Sequence, residues 1–276
     1  MQTLEICPYC KSKDSFNILY KNNHNKEEKI NFECTSHNFH NYKQWKPTLY
    51  KCKLCSLVFS EHIGVKFEDN YKAVVDFAYL NQFKFKKTSF TLFLEKIKNH
   101  LNKNCTVLEI GAYYGVLGKL IQPLVKEYTG LELSKHASDY SKNNSNLNII
   151  NQSIKEYSKN NKKYDIIIMT DVIEHSDKPF ELLSLIEKSL NKNGKLILST
   201  FNFDSLFSKI MGKNYPWIIP MHKYYFSNTT LKNALTESKL ELFDIQNDTR
   251  IISLEYLLQK FNILAPSFNF IFNFFL

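Results

Sequence analysis

The chain is predicted to be an α/β protein, a doubly wound and mostly parallel sheet behind a small N-terminal cysteine module. Three features predict this. Short apolar runs alternate with amphipathic helical stretches from residue 105 onward, three glycines crowd the turn after the first run, and two C-x-x-C pairs lie within the first 60 residues. A length of 276 residues suits one large domain plus a module, and 43% hydrophobic with 23% charged residues excludes a disordered, collagen-like or simple coiled-coil chain. No apolar run reaches the roughly 18 residues that a membrane span requires, and the first 20 residues lack a secretory layout, so a cytoplasmic protein is expected.

The cysteines come first. Cys7-Pro-Tyr-Cys10 and Cys52-Lys-Leu-Cys55 each offer two thiolates to one ion, and two such pairs close a tetrahedral structural zinc site. Their separation exceeds the roughly 15–20 residues of a usual ribbon, which places an insertion between them. Four buried thiols or a redox pair are the alternatives. Cys34, His37 and His40, inside the insertion, could serve a second metal but lack a fourth ligand, and Cys105 reads as a small apolar core residue.

Residues 71–101 carry Phe83, Phe90, Phe93, Leu94 and Ile97 at spacings of three, four and seven, which predicts a helical connector. Residues 106–110 read as a strand and 116–124 as a helix; 128–133, 135–143 and 147–151 repeat strand, helix, strand. Residues 164–169 are apolar almost throughout, as a strand buried on both faces must be. A helix from Pro179 to Leu190 closes at Asn193-Gly194, and 195–200 is the next strand. An aromatic-rich loop over 202–227, a helix over 229–238 and a strand over 240–245 complete the core. The expected division is a zinc-binding module (1–65), a connector (66–104), the α/β domain (105–250) and a C-terminal helix with an apolar tail (251–276).

Gly111, Gly115 and Gly118 let the backbone after the first strand turn tightly and approach a ligand closely. Glu109 stands at the end of that strand and Glu132 near the end of the next, where a carboxylate can accept both ribose hydroxyls. A carboxylate beside the turn would repel a pyrophosphate but attract an ammonium, and the G-x-G-x-x-G spacing of dinucleotide sites is absent, which disfavours a nicotinamide oxidoreductase. An adenosine with an amino-acid tail fits: S-adenosylmethionine.

Four segments, Val107-Leu-Glu-Ile-Gly111-Ala-Tyr-Tyr-Gly115, Gly130-Leu-Glu132-Leu-Ser134, Tyr164 through Pro179 with Asp171, Glu174 and His175, and Leu190 through Thr200, resemble the ordered motifs of class I S-adenosylmethionine-dependent methyltransferases, a Rossmann-like fold. The resemblance covers about residues 105–250. It implies that Glu109, Gly111 and Gly115 line the methionine end, Glu132 the ribose, Gln152 and Ser153 the adenine, and Asp171 the mouth of the fourth strand. Tyr113 replaces the usual middle glycine, so either the turn is built differently, or the ring covers the cofactor, or it simply packs. The zinc-ribbon-like module ahead of this core is similar to bacterial methyltransferases of sugar and polysaccharide pathways, which implies a small or carrier-linked acceptor, a sugar first.

Methyl transfer from a sulfonium is an in-line displacement that requires alignment and a proton acceptor. His222, His175 and Glu174 are the candidates, with a structural histidine as the alternative for each imidazole, a helix-start or salt-bridge role for Glu174, and a metal site of Glu174 with His175 as a further alternative that no other feature of the sequence supports. The apolar run 268–276 is expected to pack on the sheet or a second copy, or to touch a membrane surface, for which the +9 net charge is suited. The same charge admits a zinc-ribbon RNA-binding protein with an RNA-modifying or inactive core. Against nucleic acid stands composition, since Arg250 is the single arginine among 36 basic residues and guanidinium dominates base readout.

Overall fold

The computed structural model describes residues 5–21, 46–63 and 71–254. The module contributes β1 (Phe16–Tyr20), β2 (Leu49–Cys52) and β3 (Val58–Ser60), and helices α1 (Phe77–Asn81) and α2 (Phe83–Ile97) follow. Next come β4 (Thr106–Ile110), α3 (Val116–Ile121), β5 (Glu127–Leu131), α4 (Lys135–Ser145), β6 (Ile149–Ile150), α5 (Ile154–Tyr157), β7 (Tyr164–Thr170), α6 (Pro179–Ser189) and β8 (Leu190–Ser199). The described part closes with α7 (Leu206–Met211), β9 (Tyr224–Tyr225) and α8 (Asn228–Glu237).

Five strands pair in the order β6-β5-β4-β7-β8, every pair parallel. The order reverses between β4 and β7, and in such sheets the carboxyl ends of those two strands open the ligand crevice. Alternation along β4 and β7 sends residues to both faces. Val107, Ile166 and Ile168 pack with Phe90 and Phe93 of α2 and Leu117 of α3, while Leu108, Ile110, Ile167 and Met169 pack with Leu183 and Ile186 of α6. The helix ends follow local chemistry. Ser134 caps α4 by accepting from the Ala137 amide at 3.0 Å, Ser153 and Glu156 form a reciprocal capping box on α5, and Ser227 with Thr230 does so on α8.

A second, antiparallel sheet has the order β1-β2-β3-β9. Its fourth strand comes from the aromatic loop, so the cysteine module is tied to the α/β core beside the turn after β7, where the Lys223 amide donates to the Glu174 carbonyl at 2.9 Å. Cys7, Cys52 and Phe59 share one apolar cluster with Leu108 and Ile167.

The connector is helical as expected, in two helices: Asp76 Oδ1 accepts from the Tyr79 amide at 2.9 Å to start α1, and Gln82, at φ -95° and ψ 10°, separates α1 from α2. Two local readings are corrected. The aromatic loop contains α7 and β9. Residues 240–245 form no strand: Phe243 and Ile245 are exposed, and the segment beyond is tied to α2 through Ser89, which exchanges hydrogen bonds with the Ile251 main chain. Cys34, His37, His40 and the apolar tail lie outside the described residues. Among the described residues no helix is long and apolar enough to cross a membrane.

Candidate active site

The turn after β4 is built on close approach. Gly111 has φ 78°, and a Cβ there would stand 2.5 Å from Cγ2 of Val172; Gly115 has φ 74° and starts α3. Tyr113 also adopts a left-handed backbone, φ 47°, which is why a glycine suits this position. Contacts on three sides hold it. Its amide donates to Glu132 Oε2 at 2.7 Å, its hydroxyl donates to Asp76 Oδ2 at 2.9 Å, and its ring meets Tyr79 and Tyr114 at centroid distances of 4.7 and 4.6 Å. The ring is packed by the connector, and the turn keeps its left-handed form.

Glu132 is buried and accepts from two amides, Tyr113 and Ser134, each at 2.7 Å. Burial nevertheless pushes its carboxyl up to about 7, against those amides. Glu109, also buried, accepts from the Tyr128 hydroxyl at 2.5 Å; burial, aided by the charge of Glu132, raises it to about 8. Tyr79 is held far above the usual phenol range by burial first and then by the charges of Glu109 and Asp171. Gly111, Tyr113, Gly115 and Glu132 are thus brought together, with Glu109 close by. Gln152 is exposed, and the Ser153 side chain is engaged in the α5 cap.

At the end of β7, Asp171 takes φ 53° and pairs with Arg250, whose NH2 lies 3.1 Å from Oδ2 and donates to Ser199 Oγ at 2.8 Å. The guanidinium also binds Asp248 at 2.7 Å and lies 5.5 Å from the centroid of the Phe90 ring. Asp76, Tyr79 and Arg250 were not singled out by spacing. The isolation of one arginine in a lysine-rich chain was the available signal for the last, and nothing local marks the other two.

Glu174 and His175 occupy the single turn after β7, and His222 arrives from the loop before β9. The imidazoles stand 4.5 Å apart between centroids, and one ligand atom from each of the three residues lies within 4.8 Å of the others. The Nδ1 of His222 donates to the Trp217 carbonyl at 2.7 Å; that of His175 lies 3.2 Å from the Met221 carbonyl and 2.7 Å from the Tyr71 hydroxyl. Burial pushes His175 down to about 4 and, together with the charge of Asp171, raises Glu174 to about 8.

The family described as "Methyltransferase domain" matches residues 78–244, more than half of the chain. The chain belongs to the methyltransferase-domain family. A structure from Archaeoglobus fulgidus, described as a SAM dependent methyltransferase, shares the fold at 22% identity, with a TM-score of 0.51 over 68% of this chain and 91% of that one. Mitochondrial ubiquinone biosynthesis O-methyltransferase of Saccharomyces cerevisiae is 32% identical over 146 residues, 48% of this chain and 47% of its own length. The Coxiella burnetii ubiquinone biosynthesis O-methyltransferase is 26% identical over 151 residues, 50% of this chain and 64% of that one. The chain spans about half to two thirds of the length of these relatives.

The methyltransferase-domain match begins after the cysteine module. There, Cys7, Cys10, Cys52 and Cys55 each present a sulfur within 4.8 Å of the other three, with Cys7 to Cys55 and Cys10 to Cys52 both at 3.6 Å. Tetrahedral thiolates about 2.3 Å from one zinc stand about 3.8 Å apart, so the donor set fits that ion. Burial opposes the Cys52 thiolate, yet the amides of Cys55 and Leu54 bring it down to about 6, so it is readily ionised.

Proposed function

We propose that the chain is an S-adenosylmethionine-dependent methyltransferase acting on a small or carrier-linked molecule, with a structural zinc ion on the four cysteines. The observation that carries this is the turn itself. A left-handed Gly111-to-Gly115 loop lies against the buried Glu132 at the switch point of a 3-2-1-4-5 parallel sheet, in a chain of the methyltransferase-domain family. Glu132 would hold the ribose and Glu109 the ammonium of the amino-acid tail, with Gly111, Tyr113 and Gly115 beside the methionine end; Gln152 would lie toward the adenine and Asp171 at the crevice mouth.

When bound, the cofactor supplies an electrophilic methyl group on a sulfonium. This chain's residues then align an acceptor with it and take the acceptor's proton. The wall of Glu174, His175 and His222 at the carboxyl end of β7 is where we place the acceptor, and His222 or His175 is the group that draws off its proton. Hydroxyl acceptors are favoured by the names of the curated relatives, both O-methyltransferases. A sugar is the acceptor class suggested by the cysteine module ahead of the core.

The test is a calorimetric titration with S-adenosylhomocysteine on the wild type and on Glu132→Ala. Saturable binding by the wild type, weakened about ten-fold or more in the variant, is expected, since hydrogen bonds to a charged group contribute roughly 1.5–3 kcal/mol. A folded wild type that does not bind would overturn the reading.

A further inference from the structure

We propose that residues 71–79 are a strap that closes over the cofactor crevice, and that the Tyr113 hydroxyl on Asp76 is the latch whose opening admits the cofactor and releases its product. This gate rests on the methyltransferase reading above and adds to it the step that controls exchange.

The segment is fastened at three places. Tyr71 reaches the turn after β7, its hydroxyl 2.7 Å from His175 Nδ1. The carbonyl of Val74, a residue 2% exposed, accepts from the Ser134 hydroxyl at 2.7 Å, just past the end of β5. Asp76 lies against the turn after β4, where its Oδ2 accepts from the Tyr113 hydroxyl and its amide donates to the Tyr114 hydroxyl, both at 2.9 Å. The Tyr79 ring then stacks on that of Tyr114 at a centroid distance of 5.4 Å. In turn the segment thus touches the carboxyl ends of β7, β5 and β4, which bound the crevice at the switch point of the sheet. A ligand seated on the Gly111-to-Gly115 turn and Glu132 lies under this crossing, so it enters and leaves only when the crossing lifts.

The latch depends on the residue at position 113. Glycine there would take φ 47° unaided and would offer Asp76 no hydroxyl. Tyrosine in that backbone is strained, and two of the groups that hold it, Asp76 and Tyr79, belong to the strap. Strap and turn therefore support each other. With the strap down, the left-handed Tyr113 aims its amide at Glu132 Oε2, 2.7 Å away, the carboxylate assigned to the ribose. Lifting the strap withdraws that support and loosens the ribose carboxylate in the same movement, which gives two states and not a graded series. The fastenings suit a part that moves, since most are single side-chain hydrogen bonds that water can replace. Gln82, outside the helical pattern between α1 and α2, offers the hinge.

Surface plasmon resonance of the immobilised full chain with S-adenosylhomocysteine reads both rate constants. A gate that closes over free and occupied sites alike slows entry and exit by one factor. Tyr113→Phe, which removes only the latching hydroxyl, should therefore raise association and dissociation together, each about ten-fold, and leave Kd within about two-fold, because a hydrogen bond to a charged group carries roughly that factor or more in an opening equilibrium. Asp76→Ala should do the same, and the double variant should be no faster than Asp76→Ala alone, since both substitutions remove one contact. Amide hydrogen exchange of ligand-free Tyr113→Phe should rise over residues 71–79 while β4 and β7 stay protected; no rise there overturns the latch. Faster dissociation with unchanged association overturns the gate, because Tyr113 would then be a cofactor contact only. Rates equal to those of the wild type overturn it as well. A wild type that binds no S-adenosylhomocysteine overturns the methyltransferase reading and the gate with it, whereas unresponsive rates in a wild type that does bind overturn the gate alone.

Discussion

Single residues show where local sequence signals stop. Gly111 and Gly115 are legible because the turn holds them at φ 78° and 74°, where glycine is favoured, and Glu132 is legible as the carboxylate beside that turn, where it accepts from the Tyr113 amide. Tyr113 is legible as a departure, but the partners that hold its left-handed backbone, Asp76 and Tyr79, lie more than thirty positions upstream and carry no motif. Gly111 permits a quantitative check. An alanine there meets Val172 Cγ2 at 2.5 Å and must also adopt φ 78°. Left-handed backbone costs an L-residue roughly 1–2 kcal/mol and overpacking roughly 1–3 kcal/mol, so Gly111→Ala should lower Tm by roughly 5–10 °C. Adding Val172→Ala should recover the packing part and leave the backbone part. The thermal unfolding of both single variants and the double variant checks this, and simple additivity of the two losses would show that the Val172 contact is not the cause.

At the scale of elements, the parallel sheet was readable because each strand is an apolar run beside its own helix. Elements formed by distant pairing were not. The β9 strand has two residues, Tyr224 and Tyr225, matched to Phe59 and Val58, and no periodicity can announce so short a pairing across the chain. Residues 240–245 mislead in the opposite sense, since their alternating pattern suits a strand but Arg250 and the Ser89 exchange draw the following chain toward α2 and the mouth of β7. The antiparallel sheet makes the cysteine cluster and the wall of Glu174, His175 and His222 neighbours in the chain's architecture: β9 begins two residues after His222 and pairs with β3. Removing the ion that we assign to the cysteines, by Cys52→Ser, should therefore raise amide hydrogen exchange at residues 49–60 and 224–225 while β4 and β5 stay protected. Uniform exchange, or none at 224–225, would separate the module from the wall.

Over the whole molecule, burying several ionisable groups sets how stability depends on pH. Glu109 rises from 4.5 to about 8 and Glu132 from 4.5 to about 7, both chiefly through burial. Between 4.5 and those values the folded chain retains protons that the unfolded chain has released. Their contribution is thus fully present below 4.5 and is lost as pH climbs through 7 and 8. His175 and His62 oppose this: burial lowers each from 6.5 to about 4, so folding gains from them as pH rises, but only up to 6.5. Above that value only the carboxyl groups among these four still slope. Cys52, brought down from 9.0 to about 6, slopes the other way over the same range, so the comparison with a variant carries the test: from pH 6.5 to 8.5, Tm of the ligand-free wild type should fall relative to that of Glu109→Gln, which keeps the shape of the protonated acid. Scanning calorimetry of both across that range decides the matter, and parallel curves would mean that Glu109 is solvated in solution. S-adenosylhomocysteine should act in the other direction, because its ammonium favours the ionised form of Glu109, so the stabilisation it confers should grow over the same pH interval until its own amine begins to lose its proton.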